Sequence, residues 1–290
     1  MPSISGVAEL DYLEFFDLKS KAFINVCNPD YYYESYDHIE ALNRLIYLIE
    51  EGNMGFGVLT GEIGCGKTMT RQVLKKKIDP QHFRVLDLDN SNLEFPYILF
   101  ELVRQLSQNN MDPALSPAEP YYLIKAFEYY VQYLHSSLNL STVLILDEAQ
   151  ELSPKTLVDL KGLTNMNTQF HSALTIILVG QPELRELISS LPAIDQRVSL
   201  RFHLNPLNNT DVGGYIERRL RVAGHPTGKI FDDEAIKAIA QNTKGIPREV
   251  NRVCQLSLHF AAAQQERIVT LNTVTAVLKD LDRQRGGRTL

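Results

Sequence analysis

The chain has 290 residues, of which 44% are hydrophobic, and a formal net charge of −6 at pH 7. This acidic balance disfavours a protein that coats nucleic acid non-specifically, because that function needs a basic surface. No apolar run approaches the roughly 18 residues of a membrane span, and the N-terminus lacks a signal-peptide pattern, so we expect no membrane span and a cytoplasmic location.

The first 60 residues of the chain lead into a glycine-rich segment. Residues 1–34 are rich in aromatic side chains and predict an N-terminal arm that packs on the body of the protein. A helix with an apolar face follows, with Ser35 as its N-cap and an end at Gly52. Residues 56–60 then predict a short buried strand.

The next segment, Gly61-Glu62-Ile63-Gly64-Cys65-Gly66-Lys67-Thr68, fills every fixed position of the G-x-x-x-x-G-K-[ST] phosphate-binding loop. We expect positive φ angles at the three glycines, which turn backbone N–H groups toward phosphate oxygens. A helix over about 67–78 presents its N-terminus to the same anion. Lys67 supplies a charge for the β- and γ-phosphates, and the Thr68 hydroxyl is a predicted Mg²⁺ ligand. Aromatic residues of the arm either flank the adenine ring or, as we favour, simply pack.

After the phosphate-binding loop, the sequence predicts a strand at 83–89 and helices at 94–108 and 119–138. The next segment of functional interest lies beyond these helices. The tyrosines from Tyr121 to Tyr133 either pack on a helix face, which we favour, or form a partner surface. Val143 to Leu146 predicts a buried parallel strand that ends in Asp147 and Glu148. Ligands bind at this end of such strands, so Asp147 is predicted to hold Mg²⁺ and Glu148 to polarise the attacking water.

Three further polar residues are candidates for the reaction. Gln181 follows a buried strand at 174–179 and either senses the γ-phosphate or caps the next helix, Glu183 to Ser189. Arg197 and Arg201 lie four residues apart before a last short strand. Each is either a finger that a neighbouring subunit supplies to the phosphoryl transition state or a member of a surface salt bridge.

The C-terminal part predicts only helices, at 210–223, 232–242, 247–265 and 271–283. Arg248 lies in the first turn of one of them, after Pro247, and is predicted to reach the bound phosphates. The tail from Arg283 is basic and is expected to be disordered.

These elements predict an α/β fold: a P-loop NTPase three-layer αβα domain with a parallel sheet, followed by a small all-α lid domain. The predicted boundaries are an N-terminal arm at 1–34, a nucleotide-binding α/β domain at 35–207, a lid at 208–283 and a basic tail at 284–290.

The motifs together resemble the AAA+ ATPases, specifically the ExeA/GspA-like branch, named for general secretion and also found beside polysaccharide-export and exosortase loci. The resemblance is carried by Leu59-Thr60-Gly61-Glu62, Leu146-Asp147-Glu148-Ala149-Gln150, Leu178-Val179-Gly180-Gln181-Pro182, Gln196-Arg197 and Gly245-Ile246-Pro247-Arg248. It implies Walker A at Lys67 and Thr68, Walker B at Asp147 and Glu148, sensor 1 at Gln181, a finger at Arg197 and sensor 2 at Arg248. Cys65 and Met69 stand where the branch usually has threonines, and we count both among the nucleotide-contacting residues.

Three functions remain open on the sequence. We favour an ATPase that uses ATP and Mg²⁺, forms a homo-oligomeric ring or helical filament and remodels an unidentified protein client, in secretion or polysaccharide export. The second is a DNA-associated ATPase of the transposition-regulator type that polymerises on duplex DNA, which the acidic composition disfavours. The third is a nucleotide switch with slow turnover.

Overall fold

The computed structural model describes residues 12–52, 55–89, 92–164 and 173–286. The start of the predicted arm and the last four residues of the predicted tail lie outside these ranges. The described residues form two compact units. One is Tyr36–Asn205, here called the sheet unit, and the other combines residues of Met1–Ser35 with Pro206–Leu290, here called the helical unit.

The sheet unit contains a five-stranded parallel sheet in the order β2-β3-β4-β1-β5. Its strands are β1 (Phe56–Gly61), β2 (Phe83–Leu88), β3 (Ser141–Leu146), β4 (Leu174–Gly180) and β5 (Val198–Leu204). β1 and β4 are buried along their whole length, as parallel strands between two helical layers must be. The predicted parallel α/β sheet is therefore confirmed.

Helices account for most of the remaining described chain. They are α1 (Tyr12–Phe15), α2 (Tyr36–Glu51), α3 (Lys67–Lys77), α4 (Phe95–Leu106), α5 (Pro120–Leu138), α6 (Pro154–Thr164), α7 (Glu183–Ser189), α8 (Pro192–Asp195), α9 (Asn209–Val222), α10 (Asp233–Thr243), α11 (Pro247–Ala263) and α12 (Leu271–Gly286). Two 3₁₀ turns lie at Pro29–Tyr31 and Ala149–Glu151. In the described part of the chain, every helix is too short or too polar to cross a membrane.

The two faces of the sheet are covered by different helices. Leu144 and Leu178 face a core shared with side chains of α4 to α8. On the opposite face, α2 lies so close to β1 that a Cβ at Gly57 would be 2.4 Å from Leu48 Cδ2. Apolar side chains that alternate along the strands thus fill both layers, which gives the three-layer αβα arrangement.

The described part of the N-terminal arm, residues 12–34, contributes side chains to the core of the helical unit. Phe16 and Phe23 are buried there with side chains of α9, α10, α11 and α12. The buried guanidinium of Arg219 on α9 donates from Nε to the Ala22 carbonyl (2.6 Å) and from Nη2 to the Ile24 carbonyl (2.7 Å). The packing interpretation of the arm's aromatic residues is confirmed for Phe16 and Phe23.

Two sequence predictions are wrong in detail. On α5, the buried side chains are Leu123, Phe127, Val131 and Leu134, while Tyr121, Tyr122, Tyr129 and Tyr133 are 46% to 64% exposed. Helix-face packing therefore does not account for these four tyrosines, because aliphatic side chains and one phenylalanine already fill that face. At the C-terminus, α12 continues to Gly286 instead of giving way to disorder at Arg283, and the buried Leu281 anchors its last turns.

Candidate nucleotide-binding and catalytic site

The phosphate loop joins β1 to α3 and leaves the start of that helix open. Gly64 and Gly66 have φ angles of 86° and 102°, which other residues rarely adopt. Gly66 is the N-cap of α3, and no side chain of the described residues caps the helix there. The first N–H groups of α3 are therefore available to an anion, as the sequence predicts.

Gly61 is a glycine for a different reason from the one that the sequence suggested. It is the last residue of β1, pairs with Leu204 of β5, and is not among the glycines with positive φ. A Cβ at this position would lie 2.7 Å from the Leu204 carbonyl oxygen. Close approach of the two strands, and not a left-handed backbone, accounts for this glycine.

Lys67 is the first residue of α3, and its ammonium group contacts the backbone of the phosphate loop. Nζ donates to the carbonyl oxygens of Gly61 (2.7 Å) and Glu62 (3.1 Å). Burial lowers the pKa of Lys67, and the carboxylate of Glu148 is the strongest of the charges that oppose this effect. The ammonium group is thus close enough to the acidic end of β3 for the two charges to interact.

Thr68 and Asp147 meet across the site although they are 79 residues apart in the chain. Thr68 Oγ1 donates to Asp147 Oδ2 at 3.3 Å. Burial raises the pKa of Asp147, and the positive charge of Arg71 opposes that shift. In a magnesium octahedron with Mg–O distances of about 2.0–2.1 Å, adjacent ligand oxygens lie about 3 Å apart. The two oxygens therefore fit neighbouring positions around Mg²⁺.

Glu148 and Gln181 also meet, at the carboxyl ends of β3 and β4. Glu148 Oε2 accepts a hydrogen bond from Gln150 Nε2 (2.7 Å) and a longer one from Gln181 Nε2 (3.4 Å). Among the described residues no side chain caps α7, so the capping alternative for Gln181 is wrong. Its role as a phosphate sensor stays a prediction.

Sequence reasoning missed Arg71, one turn after Lys67 on α3. Its side chain is 3% exposed, and Nη1 lies 3.2 Å from Asp87 and 3.4 Å from Asp147, while Nη2 pairs with Asp89. Burial alone would lower the pKa of Arg71, but these carboxylates outweigh it and raise the pKa. The signal was present in the sequence: a cation at i+4 from the loop lysine, and two strands that end in aspartates.

The side chain of His38, on α2, contacts the backbone of the phosphate loop. Its Nε2 lies 3.2 Å from the Cys65 carbonyl oxygen, and a Cβ at Gly66 would lie 2.8 Å from the same nitrogen. Cys65 is buried, and burial raises the pKa of its thiol to about 11. Met69 is half-buried on the first turn of α3. That Cys65 and Met69 contact the nucleotide stays a prediction.

The three candidate arginines outside the loop have different environments. Arg201 donates from Nη2 to the Asp195 carbonyl (3.0 Å) and to Asp195 Oδ1 (2.8 Å), which is the salt bridge that the sequence left open. The Arg197 side chain is exposed, and none of the side-chain hydrogen bonds or ion pairs of the described residues includes it; only its backbone N–H is bonded, to the Ile194 carbonyl at 2.8 Å. Arg248 lies in the first turn of α11 in the helical unit and is also exposed. Their catalytic roles stay predictions.

Residues 50–188 match the family of AAA domains. Over 260 residues, or 87% of its length, the chain is 34% identical to general secretion pathway protein A of Aeromonas hydrophila, and it spans 45% of that protein. It is 27% identical over 138 residues to the uncharacterised HTH-type transcriptional regulator MJ0774 of Methanocaldococcus jannaschii, with 46% of this chain and 33% of that protein covered.

The fold also matches solved structures. The ADPNP–ADP complex of the Aeropyrum pernix ORC2 protein superposes with a TM-score of 0.68 at 16% identity, covering 90% of this chain and 71% of that one. At this identity the similarity concerns the fold alone. The AAA domain match, the parallel sheet and the sequence identity to general secretion pathway protein A confirm the resemblance to AAA+ proteins of the ExeA/GspA-like branch.

Proposed function

We propose that this protein binds ATP together with Mg²⁺ and hydrolyses it at the carboxyl end of the sheet. The observation that carries the proposal is the contact of Thr68 with Asp147 at 3.3 Å, next to the loop that ends in Lys67. The Thr68 hydroxyl and the Asp147 carboxylate offer two oxygen ligands for a metal ion. The uncapped start of α3, beside them, offers N–H groups to an anion. The metal ligands and the phosphate-binding loop would then form one metal–triphosphate site within the sheet unit.

The chemistry follows from where these groups lie. The N–H groups of the loop and of α3 hold phosphate oxygens, and Lys67 adds a positive charge beside them. Thr68 and Asp147 would hold Mg²⁺, which would supply positive charge to neutralise the phosphates. Glu148 orients and polarises water for attack in line with the γ-phosphate, and Gln181 hydrogen-bonds near the same point.

We further propose that hydrolysis is coupled to assembly of a homo-oligomer, either a ring or a helical filament. The exposed and unengaged Arg197, beside the edge strand β5, is the group that one subunit would lend to its neighbour's site. A fixed guanidinium charge there stabilises the transferring phosphoryl group. Such an assembly remodels a protein partner. The relative's name makes secretion the pathway to test first, and polysaccharide export, which the family resemblance implies, is the alternative.

The second candidate is a DNA-associated ATPase. The observation in its favour is the alignment with a protein named as an HTH-type transcriptional regulator. The formal charge of −6 weighs against it, because binding to the phosphate backbone depends on clustered lysine and arginine.

One experiment separates these functions. The purified protein is assayed for Mg²⁺-dependent ATP hydrolysis over a range of protein concentrations, and is imaged with a non-hydrolysable ATP analogue, with and without duplex DNA. Turnover per subunit that rises with protein concentration, together with assembly without DNA, supports the first proposal. Salt-sensitive assembly only on DNA supports the second. Slow turnover that does not depend on concentration indicates a nucleotide switch, and no hydrolysis at all contradicts the proposal.

A further inference from the structure

Gln150 connects the ends of two neighbouring strands through its side-chain amide. It lies in the 3₁₀ turn that follows β3 and is half-buried. Nε2 donates to Glu148 Oε2 at 2.7 Å, while Oε1 accepts the backbone N–H of Gln181 at 2.9 Å. The acceptor fixes which way the amide faces, because a backbone N–H can only donate, and the NH₂ group is thereby directed at the carboxylate.

The backbone around this amide leaves it little freedom to move. A Cβ at Gly180, the last residue of β4, would lie 2.7 Å from Gln150 Oε1 and 3.3 Å from its backbone nitrogen. Glu148 itself has φ 51° and ψ 38°, a left-handed conformation that is uncommon for residues other than glycine. A glycine that admits the amide and an unusual backbone that turns Glu148 toward it are two independent features of the same contact.

We infer that Gln150 is a positioning residue for hydrolysis, which fixes the Glu148 carboxylate against the end of β4. This rests on the proposed function, because it assigns the means by which the general base is held. A glutamate has three rotatable side-chain bonds, and a general base must lie within hydrogen-bond reach of the proton that it takes. The short bond from Gln150 restricts the carboxylate to one orientation, and the longer bond from Gln181 approaches the same oxygen.

The test replaces Gln150 in two ways. Gln150→Leu removes both bonds, whereas Gln150→Glu keeps an oxygen for the Gln181 N–H but loses the donor to Glu148. We expect kcat to fall about 10- to 100-fold in both, because small displacements of a catalytic group have effects of that size. The Kd of a non-hydrolysable ATP analogue, measured by calorimetry, should change by less than about twofold, since Gln150 bonds neither the loop nor Thr68.

Gln105→Leu is the matched control. Gln105 is also half-buried and bonds a strand backbone, with Oε1 accepting from Asp87 N (3.2 Å) and Nε2 donating to Asp87 O (3.1 Å). A loss of kcat in the Gln150 variants with kcat retained in Gln105→Leu supports positioning. An equal loss in all three indicates a structural effect and overturns the inference. If Gln150→Leu fails to fold, as its thermal midpoint will show, Gln150→Glu decides.

A double variant asks whether Gln150 acts through Glu148. Once Glu148→Gln has removed the base, adding Gln150→Leu should slow turnover by less than about twofold, because residues that act as one unit are not additive. Multiplying effects would overturn the inference. Wild-type protein that does not hydrolyse ATP contradicts the proposed function itself. Active wild-type protein with an equally active Gln150→Leu variant contradicts the positioning role alone.

Discussion

The guanidinium of Arg71 lies 3.4 Å from the Asp147 carboxylate, and this contact joins the helix that follows the phosphate loop to the end of β3. The same side chain pairs with Asp87 and Asp89, at and just after the end of β2. Arg71 and Asp147 have side chains that are 3% and 5% exposed, so water screens their attraction weakly. One buried cation therefore neutralises the acidic ends of two neighbouring strands.

Arg71→Met should lower the free energy of unfolding by about 3 to 5 kcal/mol, because it removes the cation that faces the buried Asp147 carboxylate, whereas Asp87 keeps its pair with Lys75 and Asp89 is exposed to water. Chemical denaturation of the purified variant measures this loss. Arg104→Met is the control, since Arg104 pairs with Glu101 at the surface and such pairs contribute about 0 to 1 kcal/mol. Equal losses in the two variants would show that the buried cluster contributes no more than a surface pair.

Glu148→Gln should retain ATP and lose turnover. The change removes the base but leaves Thr68 and Asp147, so nucleotide affinity should stay within a few fold while kcat falls about 10²- to 10⁴-fold. Calorimetry with ATP and a phosphate-release assay measure the two effects separately. Glu151→Gln, at an exposed glutamate in the same turn, serves as the control and should hydrolyse ATP normally. Normal turnover by Glu148→Gln would remove Glu148 from the role of base.

The sheet and the phosphate loop could be predicted because their signals are local. The loop is a contiguous motif of eight residues, and β3 and β4 are short apolar runs whose burial on both faces is readable from composition. Their parallel order brings Asp147, Glu148 and Gln181 to one edge, as ligand sites in such sheets require.

The contacts that the sequence did not predict join distant parts of the chain. Arg219 bonds carbonyl oxygens of the arm almost 200 residues earlier, and no local pattern marks a buried arginine. Gly61 fits the loop motif, but this position needs a glycine because the backbone of Leu204, on another strand, leaves no room for a Cβ. The exposed tyrosines of α5 were misread because a run of aromatic residues does not reveal which helix face is already filled.

Arg197→Ala should bind nucleotide normally and lose turnover by about 10³- to 10⁵-fold if the arginine acts on a neighbouring site. Mixing it with Lys67→Ala should restore part of the rate, because each Lys67→Ala subunit still carries Arg197. The measurement is turnover of the mixture against each variant alone, with assembly checked by imaging.

Arg201→Ala is the comparison for this mixing experiment. Arg201 is already paired with Asp195 in its own subunit, so we expect a smaller loss and no recovery on mixing. Recovery with Arg201→Ala, and none with Arg197→Ala despite intact assembly, would assign the finger to Arg201.

Gly245→Ala should destabilise the helical unit. Gly245 has φ 69°, and a Cβ there would lie 1.8 Å from the Leu207 carbonyl oxygen, which is backbone and cannot swing away. Leu207 N also donates to Gly245 O at 3.0 Å, so a shift that relieved the clash would break this bond. Left-handed strain and overpacking together should lower the free energy of unfolding by about 2 to 4 kcal/mol.

Gly162→Ala is the opposite case, on α6, where a Cβ would meet no atom of the described residues within 4 Å. Alanine should stabilise that helix by about 0.5 to 1 kcal/mol, because glycine loses more backbone entropy on folding. We therefore expect chemical denaturation to show a lower free energy of unfolding for Gly245→Ala and a higher one for Gly162→Ala, although both replace glycine by alanine. If Gly245→Ala is as stable as the wild type, the close approach of Gly245 to Leu207 does not exist in solution.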